Sequence, residues 1–194
     1  MLKKELVYRH ILSEALEHRQ YSFTQLSLSR KFGFSLSTVN NALKPLEKMG
    51  GIEKRTRSFI VTDAEKILTY WATIRNIEKD LVYSTRSEMP PIKIEGEMPP
   101  GTIFTAYSAF RLRFDDAPAD YGEAYVYADA KTLEEIKWRF PFQKGRQNLF
   151  VLNKDEFMKD SATAPLPQIY VDLWNLKEWY ARDYLLALKA RLLK

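Results

Sequence analysis

One stretch, Phe23 to Ile60, constrains the fold of this chain most strongly, because it predicts a helix, a tight turn, a second helix and a basic hairpin. Ser22 or Thr24 is the predicted cap of the first helix, and Gly33 supplies the left-handed backbone conformation at which many helices end. The apolar residues of that helix are Leu26, Leu28 and Phe32. The remainder of the chain is therefore interpreted around this stretch.

The second helix of the stretch has two chemically different faces. Ser35 or Ser37 caps it, and apolar residues recur at three- and four-residue spacing, which predicts one buried stripe. The stripe comprises Val39, Ala42, Leu43 and Leu46. At about 100° per residue, the opposite face is small, polar and cationic. That face comprises Ser37, Asn41, Lys44 and Lys48, with Thr38 and Asn40 at its margins.

A helix face of this chemistry suits the major groove of DNA. Asn pairs bidentately with adenine, Ser and Thr reach base edges or phosphates, and Lys meets phosphate or guanine. An ordinary solvated helix face is the competing interpretation, because polar exposed faces are common in globular proteins. The residues that follow the helix favour the first interpretation.

A short basic hairpin is predicted directly after this helix. Gly50 and Gly51 end the helix, and strands are predicted at Ile52 to Lys54 and at Phe59 to Val61. The tip, Arg55 to Ser58, is placed to touch a sugar-phosphate backbone. The combined pattern resembles the winged-helix domains of many prokaryotic regulators, and this resemblance implies binding to double-stranded DNA. The predicted DNA-binding residues are Ser35, Ser37, Thr38, Asn40, Asn41, Lys44, Lys48, Lys54, Arg55 and Arg57.

Pro45 fits the predicted second helix imperfectly. Its ring removes the hydrogen bond to the Asn41 carbonyl, at a cost of about 3 kcal/mol or a kink. We therefore expect a bend or a loosened turn there, on the side of solvent or DNA.

Composition narrows the class of protein and of partner. The 194 residues, 45% of them hydrophobic, are ample for one large or two small packed cores. The net charge of +5 favours an anionic partner, and the basic residues cluster between Arg30 and Arg57. The absence of cysteine excludes disulfides and is compatible with a reducing cytosol. With no signal-peptide core and no apolar run near ~20 residues, we expect a cytoplasmic protein without a membrane partner.

The segments beside this stretch complete an N-terminal domain. An amphipathic helix is predicted from Lys3 to His18, and its histidines are assigned to packing or the surface because no ligand cluster surrounds them. No metal or cofactor is predicted. After the hairpin, Asp63 or Thr62 caps a helix that runs through Asn76 and places Trp71 in a core or interdomain contact. The predicted division is 1–63 for the DNA-binding domain, 64–101 for a connecting helix and proline-containing linker, and 102–194 for an α/β domain.

The second half alternates candidate strands and helices, so the predicted fold class is α+β with a small mixed sheet after the N-terminal domain. From Ser84 to Gly101, the prolines indicate a linker with at most one short edge strand. Strands are predicted at Thr102 to Thr105, Glu123 to Ala128, Asn148 to Leu152 and Gln168 to Leu173. Helices are predicted at Ala106 to Phe114, Lys131 to Arg139 and Lys177 to Leu193.

Three short motifs of this half carry a family resemblance. Thr105 to Phe110, Tyr125 to Asp129 and Val171 to Tyr180 resemble the C-terminal domain of AbiEi-type antitoxins and related archaeal winged-helix regulators. That domain is similar to a degenerate nucleotidyltransferase fold, and the resemblance covers roughly residues 65 to 194. It implies an N-terminal domain that binds promoter DNA, often for autoregulation, and a C-terminal domain that supports repression or antagonism of a cognate toxin.

An enzyme remains the alternative, namely a nucleotidyltransferase acting on RNA or protein through the C-terminal domain. Such enzymes need a Gly-Ser turn and paired carboxylates for magnesium. Here Thr105 to Ser108 lacks glycine, and Asp129 stands alone where an Asp-x-Asp pair is required. We interpret Asp129 as a helix cap, and we expect Asp172 to accept a hydrogen bond or pair with Arg182 or Arg111. Asp115 and Asp116 are expected in a solvated loop, and the chain is interpreted as a non-enzyme.

The predicted function is therefore a sequence-specific regulator that binds double-stranded DNA, as an antitoxin-like autorepressor where the family resemblance holds. A homodimer on an inverted repeat is expected by analogy, because one monomer recognises few base pairs. A cognate toxin is the protein partner that the resemblance implies. A further interpretation makes the second domain a protein-docking or small-effector module. This interpretation rests on four aromatic residues, Tyr125, Tyr127, Trp174 and Trp179. The competing interpretation is that these side chains fill a hydrophobic core.

Overall fold

The computed structural model describes residues 1–193, which form a mixed α+β structure of nine α-helices and seven strands. The chain divides into two compact units. The first unit comprises Met1–Arg75, joined by Pro165–Pro167 and the C-terminal end from Leu192. The second unit comprises Asn76–Ala164 and Gln168–Arg191. None of the helices in the described part of the chain has both the length and the apolar content of a membrane span.

The first unit contains four helices and a three-stranded sheet. In chain order these are α1 (Lys3–His18), β1 (Ser22–Phe23), α2 (Gln25–Phe32), α3 (Leu36–Lys48), β2 (Ile52–Lys54), β3 (Phe59–Val61) and α4 (Ala64–Ile74). The predicted bounds of α1 are confirmed. Thr24 caps α2, Gly33 ends it at a φ of 63°, and Asp63 caps α4, each as predicted. Helix α4 ends at Ile74, before the predicted Asn76.

The core of the first unit lies between α1, α3, α4 and the small sheet. Strand β3 is central and pairs antiparallel with β1 and β2, and Phe23 stacks on Phe59 at 5.6 Å between ring centroids. The Tyr8 hydroxyl of α1 donates to the Ala42 carbonyl of α3 at 2.8 Å. Trp71 is fully buried, as the core interpretation predicted. These contacts fix α3 against the rest of the unit.

A buried carboxylate links the two ends of this unit's sequence. Glu5 is 2% exposed and accepts hydrogen bonds from Trp71 Nε1 at 3.3 Å and Arg75 Nη1 at 3.4 Å. Because a buried charge is tolerated only when it is paired and hydrogen-bonded, this cluster couples α1 to the end of α4.

The second unit is built on a four-stranded mixed sheet. Its elements are a 3-10 helix (Ile77–Asp80), β4 (Leu81–Thr85), α5 (Pro91–Gly96), β5 (Ile103–Thr105), α6 (Ala106–Phe114), β6 (Ala124–Ala128), α7 (Ala130–Arg139), β7 (Leu149–Asn153), α8 (Leu166–Trp174) and α9 (Ala181–Leu192). The strand order is β4-β7-β6-β5, in which β6 and β7 are parallel and the outer pairs are antiparallel. The strands predicted for β5, β6 and β7 and the helices predicted for α6 and α7 are confirmed within one residue.

Helices cover both faces of this sheet, which explains why β6 is buried along its whole length. On one face, Val126 and Val151 pack against Ile94 of α5 and Ile136 of α7. On the other face, Tyr125 contacts Tyr107 of α6, with 6.3 Å between ring centroids. The Tyr127 hydroxyl donates to Asp172 of α8 on the same face, at 2.8 Å. Strand β6 is therefore packed against helices on both of its faces.

Three sequence predictions in this unit are wrong. Residues 168–173, predicted as a strand, lie in helix α8. All six are buried, so their apolar run carries no periodicity that separates a strand from a buried helix. The predicted linker from Ser84 to Gly101 contains helix α5, which places Ile94 in the core. The final helix begins at Ala181 rather than at Lys177.

Candidate nucleic-acid interface

The N-terminal cap of α3 uses two of the ten predicted DNA-binding residues. Ser35 Oγ accepts a hydrogen bond from the Thr38 backbone N–H at 3.1 Å and lies 2.9 Å from Thr38 Oγ1. This cap satisfies one of the N–H groups that every helix leaves unpaired at its start. Of the two predicted candidates, Ser35 is thus the cap, and Ser37 is the second residue of the helix and is exposed.

The two faces of α3 differ as their spacing predicts. Its apolar stripe is buried, with at most 5% exposure for the side chains concerned: Val39, Ala42, Leu43 and Leu46. Ser37, Asn41, Lys44 and Lys48 are all exposed, and Thr38 and Asn40 are half-buried at the margins. The helix thus presents a row of small polar side chains and lysines to solvent.

Pro45 lies within α3 and does not interrupt it. The helix is continuous from Leu36 to Lys48, and Met49 N–H donates to the Pro45 carbonyl at 3.1 Å in the last turn. The Tyr8 hydroxyl bonds the Ala42 carbonyl one turn earlier. That bond ties the proline-containing half of the helix to α1.

The hairpin of β2 and β3 carries the arginines. Its tip is closed by a hydrogen bond from Arg55 N–H to the Ser58 carbonyl at 2.8 Å, and Lys54 pairs with Phe59 in the ladder. Arg55 and Arg57 are exposed. Arg55 makes only a loose contact with Glu53, at 3.7 Å between Nε and Oε1 with both side chains more than half exposed. A surface ion pair of this kind contributes little energy, so the guanidinium is available to another anion.

Lys54 differs from the other cations of this region because it is anchored to α3. Its ammonium group lies 2.6 Å from Glu47 Oε2 and donates to Asn40 Oδ1 at 3.3 Å. These contacts hold the base of the hairpin against the helix. The sequence alone did not indicate Glu47 as a partner of Lys54. The two residues are seven positions apart, on either side of a turn, and only the folded structure brings them into contact.

The positive net charge of the chain is concentrated in the residues of α2, α3 and the hairpin. Residues 23–61 contain seven Lys and Arg against two Asp and Glu, a net charge of +5, while the other residues contain 23 of each sign. Six of these seven cations are exposed: Arg30, Lys31, Lys44, Lys48, Arg55 and Arg57. Such a concentrated positive field attracts a polyanion and accelerates its encounter.

The two carboxylates considered for metal chemistry occupy different environments. Asp129 is exposed and caps α7, accepting a hydrogen bond from Thr132 N–H at 2.8 Å. That backbone bond is the main cause that lowers the pKa of Asp129 below its ordinary value. The prediction that Asp129 is a helix cap is confirmed. Asp115 and Asp116 are exposed at the end of α6, and Asp116 pairs with Arg191 at 2.6 Å.

Asp172 is fully buried and belongs to a polar network in the second unit. It accepts hydrogen bonds from Thr105 Oγ1 at 2.7 Å, from Tyr127 Oη at 2.8 Å and from Gln168 Nε2 at 2.9 Å. The expectation that Asp172 accepts a hydrogen bond is confirmed. Arg111, one of the two arginines considered as its partner, forms an ion pair with Glu95 instead.

The four aromatic residues singled out in the second half divide into two pairs. Tyr125 and Tyr127 are 7% and 0% exposed, which confirms that they fill a core. Trp174 and Trp179 are 42% and 77% exposed, so the same interpretation is wrong for the tryptophans. Within residues 1–193, no group of three or more His, Asp or Glu side chains is arranged to hold a metal ion. Comparison of the chain with protein-family models, curated proteins and solved structures finds no match.

Proposed function

We propose that this protein is a sequence-specific regulator that binds double-stranded DNA through the first unit. The observation that carries the proposal is the surface formed by the exposed polar face of α3 and the arginine-tipped hairpin that follows it, in the one region that holds the net charge. A helix–turn–helix followed by a basic hairpin is the arrangement of a winged-helix domain.

In the proposed complex, α3 lies in the major groove. Asn41 is exposed at the middle of the helix, where its amide can pair bidentately with an adenine edge, and Ser37 lies one turn earlier for a base or phosphate contact. Lys44 and Lys48 extend toward the phosphates at the groove margin. The arginines of the hairpin neutralise phosphates beside the groove, and the Lys54–Glu47 contact holds the hairpin at the required distance from α3.

The family resemblance supports a more specific form of this proposal, an antitoxin-like autorepressor. In that form the protein binds as a homodimer to an inverted repeat in its own promoter, and the second unit docks a cognate toxin. Two half-sites one helical turn apart supply the sequence information that one recognition helix lacks.

A salt titration tests the hairpin contacts. We expect Arg55→Ala combined with Arg57→Ala to weaken binding to a duplex selected from a random pool. The slope of log affinity against log salt should fall by about 1.8 if each arginine releases one phosphate counterion. Binding to an unselected duplex should weaken equally, because phosphate contacts carry no sequence information. Fluorescence anisotropy at several salt concentrations measures both quantities.

The matched control removes two cations elsewhere, through Lys144→Ala combined with Arg182→Ala, both exposed residues of the second unit. It should leave the salt slope unchanged. If the control and the hairpin variant behave alike, the effect is one of net charge only and the hairpin contact is contradicted.

Asn41→Ala tests the reading of bases by α3. Loss of a bidentate contact costs about 1–3 kcal/mol against the selected sequence and leaves binding to unselected DNA nearly unchanged. The measured quantity is the ratio of the two affinities. If that ratio is the same in the variant and the parent protein, α3 does not read base edges through Asn41.

A further inference from the structure

A cavity of about 210 Å³ lies within the second unit, against the face of its sheet that carries Tyr125. Its walls carry both apolar and polar side chains and come from the 3-10 helix, from β4, β6 and β7, and from the turn before α9. The apolar side chains are Ile77, Leu81, Leu152 and Leu176. A volume of this size holds about seven waters, or one small metabolite, at liquid density.

Two aromatic rings line the same cavity. Tyr125 of β6 and Phe150 of β7 are directly paired on parallel strands, and their rings stack with 4.6 Å between centroids and 9° between planes. The strand register places the two residues side by side, and their stacked rings form a continuous aromatic wall. A preformed apolar wall with few polar groups is the usual construction of a small-molecule site.

Acidic groups outnumber basic ones at this cavity. Glu78 and Glu178 line it together with Asn175 and one cation, Lys177; Glu78 and Lys177 are exposed, and Glu178 is half-buried. Within the described residues, Glu178 accepts one side-chain hydrogen bond, from Tyr107 Oη at a long 3.4 Å. Since a carboxylate offers about four acceptor positions, Glu178 retains capacity for a strong donor.

The Glu178 carboxylate acts electrostatically on two neighbouring tyrosines, Tyr107 and Tyr125. Burial, and after it the Glu178 carboxylate, raise the pKa of Tyr107 and of Tyr125 above the ordinary value for tyrosine. The cavity thus combines an aromatic wall with a negative potential. Organic cations are attracted by both features, through the ring quadrupole and through the carboxylate.

We propose that this cavity binds a small amphiphilic organic cation, whose ammonium group bonds Glu178 and whose apolar body packs against Leu81, Leu152 and the Tyr125–Phe150 pair. The size of the cavity limits the ligand to a monoamine with one ring or a short branched chain. A carboxylate ligand is disfavoured because it would meet Glu178 and Glu78. This site is independent of DNA binding and stands whether or not the first unit contacts a duplex.

Isothermal titration of the full chain with three probes of one shape tests the proposal. The probes are the phenethylammonium ion, the neutral 2-phenylethanol and the phenylacetate anion. We expect the amine to bind at least about tenfold more tightly than the alcohol, as one charge-assisted hydrogen bond provides. Phenylacetate should give no heat of binding.

Two variants separate the charge from the cavity. Glu178→Gln should weaken the amine about tenfold and leave the alcohol unchanged, because only the charge-assisted bond is lost. Leu81→Trp, at a residue 38% exposed on the cavity wall, should fill the space and abolish binding of both probes. Glu156→Gln, an exposed residue outside the cavity, is the matched control and should bind like the parent protein.

Three results would overturn the assignment. The first is an amine affinity that Glu178→Gln does not change, the second is binding of phenylacetate as tight as that of the amine, and the third is the lack of any heat with the amine at millimolar concentration. Thermal unfolding of each variant shows that it is folded before titration.

Discussion

The two units of this protein use charged and polar residues in opposite ways. Met1–Arg75 contains 13 Lys and Arg against 7 Asp and Glu, a net charge of +6, while the rest of the chain contains 17 against 18, a net charge of −1. In the first unit the excess cations of α3 and the hairpin tip are exposed. In the second unit, Arg111 and Arg139 make ion pairs with Glu95 and Glu135.

The interiors show the same contrast. Among the described residues, the first unit buries three polar or charged side chains, Glu5, Arg9 and Arg75. The second unit buries eleven: Asp80, Thr85, Glu95, Thr102, Thr105, Ser108, Glu123, Thr132, Thr163, Gln168 and Asp172. A buried polar group must find a partner inside the fold. The buried polar residues of the second unit are therefore mostly occupied with holding it together. In the first unit, the polar side chains on the outer face of α3 and the arginines of the hairpin tip are instead exposed.

The largest expected effect on stability is that of Asp172→Ala, which tests whether buried polar contacts hold the second unit together. The substitution leaves the donors of Thr105, Tyr127 and Gln168 without their shared acceptor in a fully buried site. We expect a loss of about 3–5 kcal/mol in the free energy of unfolding, because buried donors that lose a charged partner keep their desolvation cost. Urea unfolding followed by circular dichroism measures it.

The matched variant is Asp129→Ala, which removes an exposed carboxylate that caps α7. Loss of an N-cap costs about 1 kcal/mol. An Asp172→Ala loss no larger than this would show that the buried network does not stabilise the second unit.

The same contrast explains which parts of the structure could be predicted from the sequence. In the first unit, local chemistry decides: Thr24, Gly33 and Ser35 mark helix ends, and the stripe of α3 has helical periodicity. In the second unit, burial on every side removes the pattern, so α8 looked like a strand. A hydrogen bond to Asp172 was expected, but its donors on β5, β6 and α8 could be identified only from the fold. The exposed row of α3 was predictable from spacing, and the Lys54–Glu47 bridge was not.

The two units are also expected to differ in how much stability they lose at alkaline pH. Burial is the largest cause that raises the pKa of Tyr107, Tyr121, Tyr125, Tyr180 and Tyr184 in the second unit and of Tyr8 in the first. A raised pKa in the folded state gives a stabilisation that is complete below the unfolded pKa of about 10 and is lost as pH rises above it. Each such tyrosine should cost about 0.8 kcal/mol at pH 10.5.

Tyr107→Phe isolates one of these contributions. We expect the drop in unfolding free energy between pH 8 and pH 10.5 to be about 0.8 kcal/mol smaller in this variant than in the parent protein. Taking the difference between two pH values cancels any constant effect of losing the long hydrogen bond to Glu178. Tyr21→Phe, at a residue 44% exposed, is the control. If both variants change the drop equally, burial is not its origin.

The smallest expected effect concerns backbone conformation. In the first unit, Gly33 and Gly50 occupy left-handed positions after α2 and α3, whereas in the second unit α6 begins with a fully buried alanine, Ala106, at a φ of 51°. An L-residue in this region costs about 1–2 kcal/mol. Glycine removes that strain, but it lowers stability by about 0.5–1 kcal/mol because the unfolded chain gains conformational entropy. It also loses a buried methyl group. The lost methyl group costs about 0.8 kcal/mol, so the contributions nearly cancel. We therefore expect Ala106→Gly to change stability by no more than about 0.7 kcal/mol in either direction.

Ala109→Gly provides the reference for this prediction. Ala109 is equally buried within the same helix, but its φ is not positive. Glycine offers no relief there and should cost about 1–2 kcal/mol, from helix propensity and the lost methyl group. Urea unfolding of the two variants under one condition gives the difference directly. Equal losses would mean that Ala106 stores no strain in the folded protein. A gap of about 1 kcal/mol or more would show that Ala106, at the turn from β5 into α6, is held in a strained conformation.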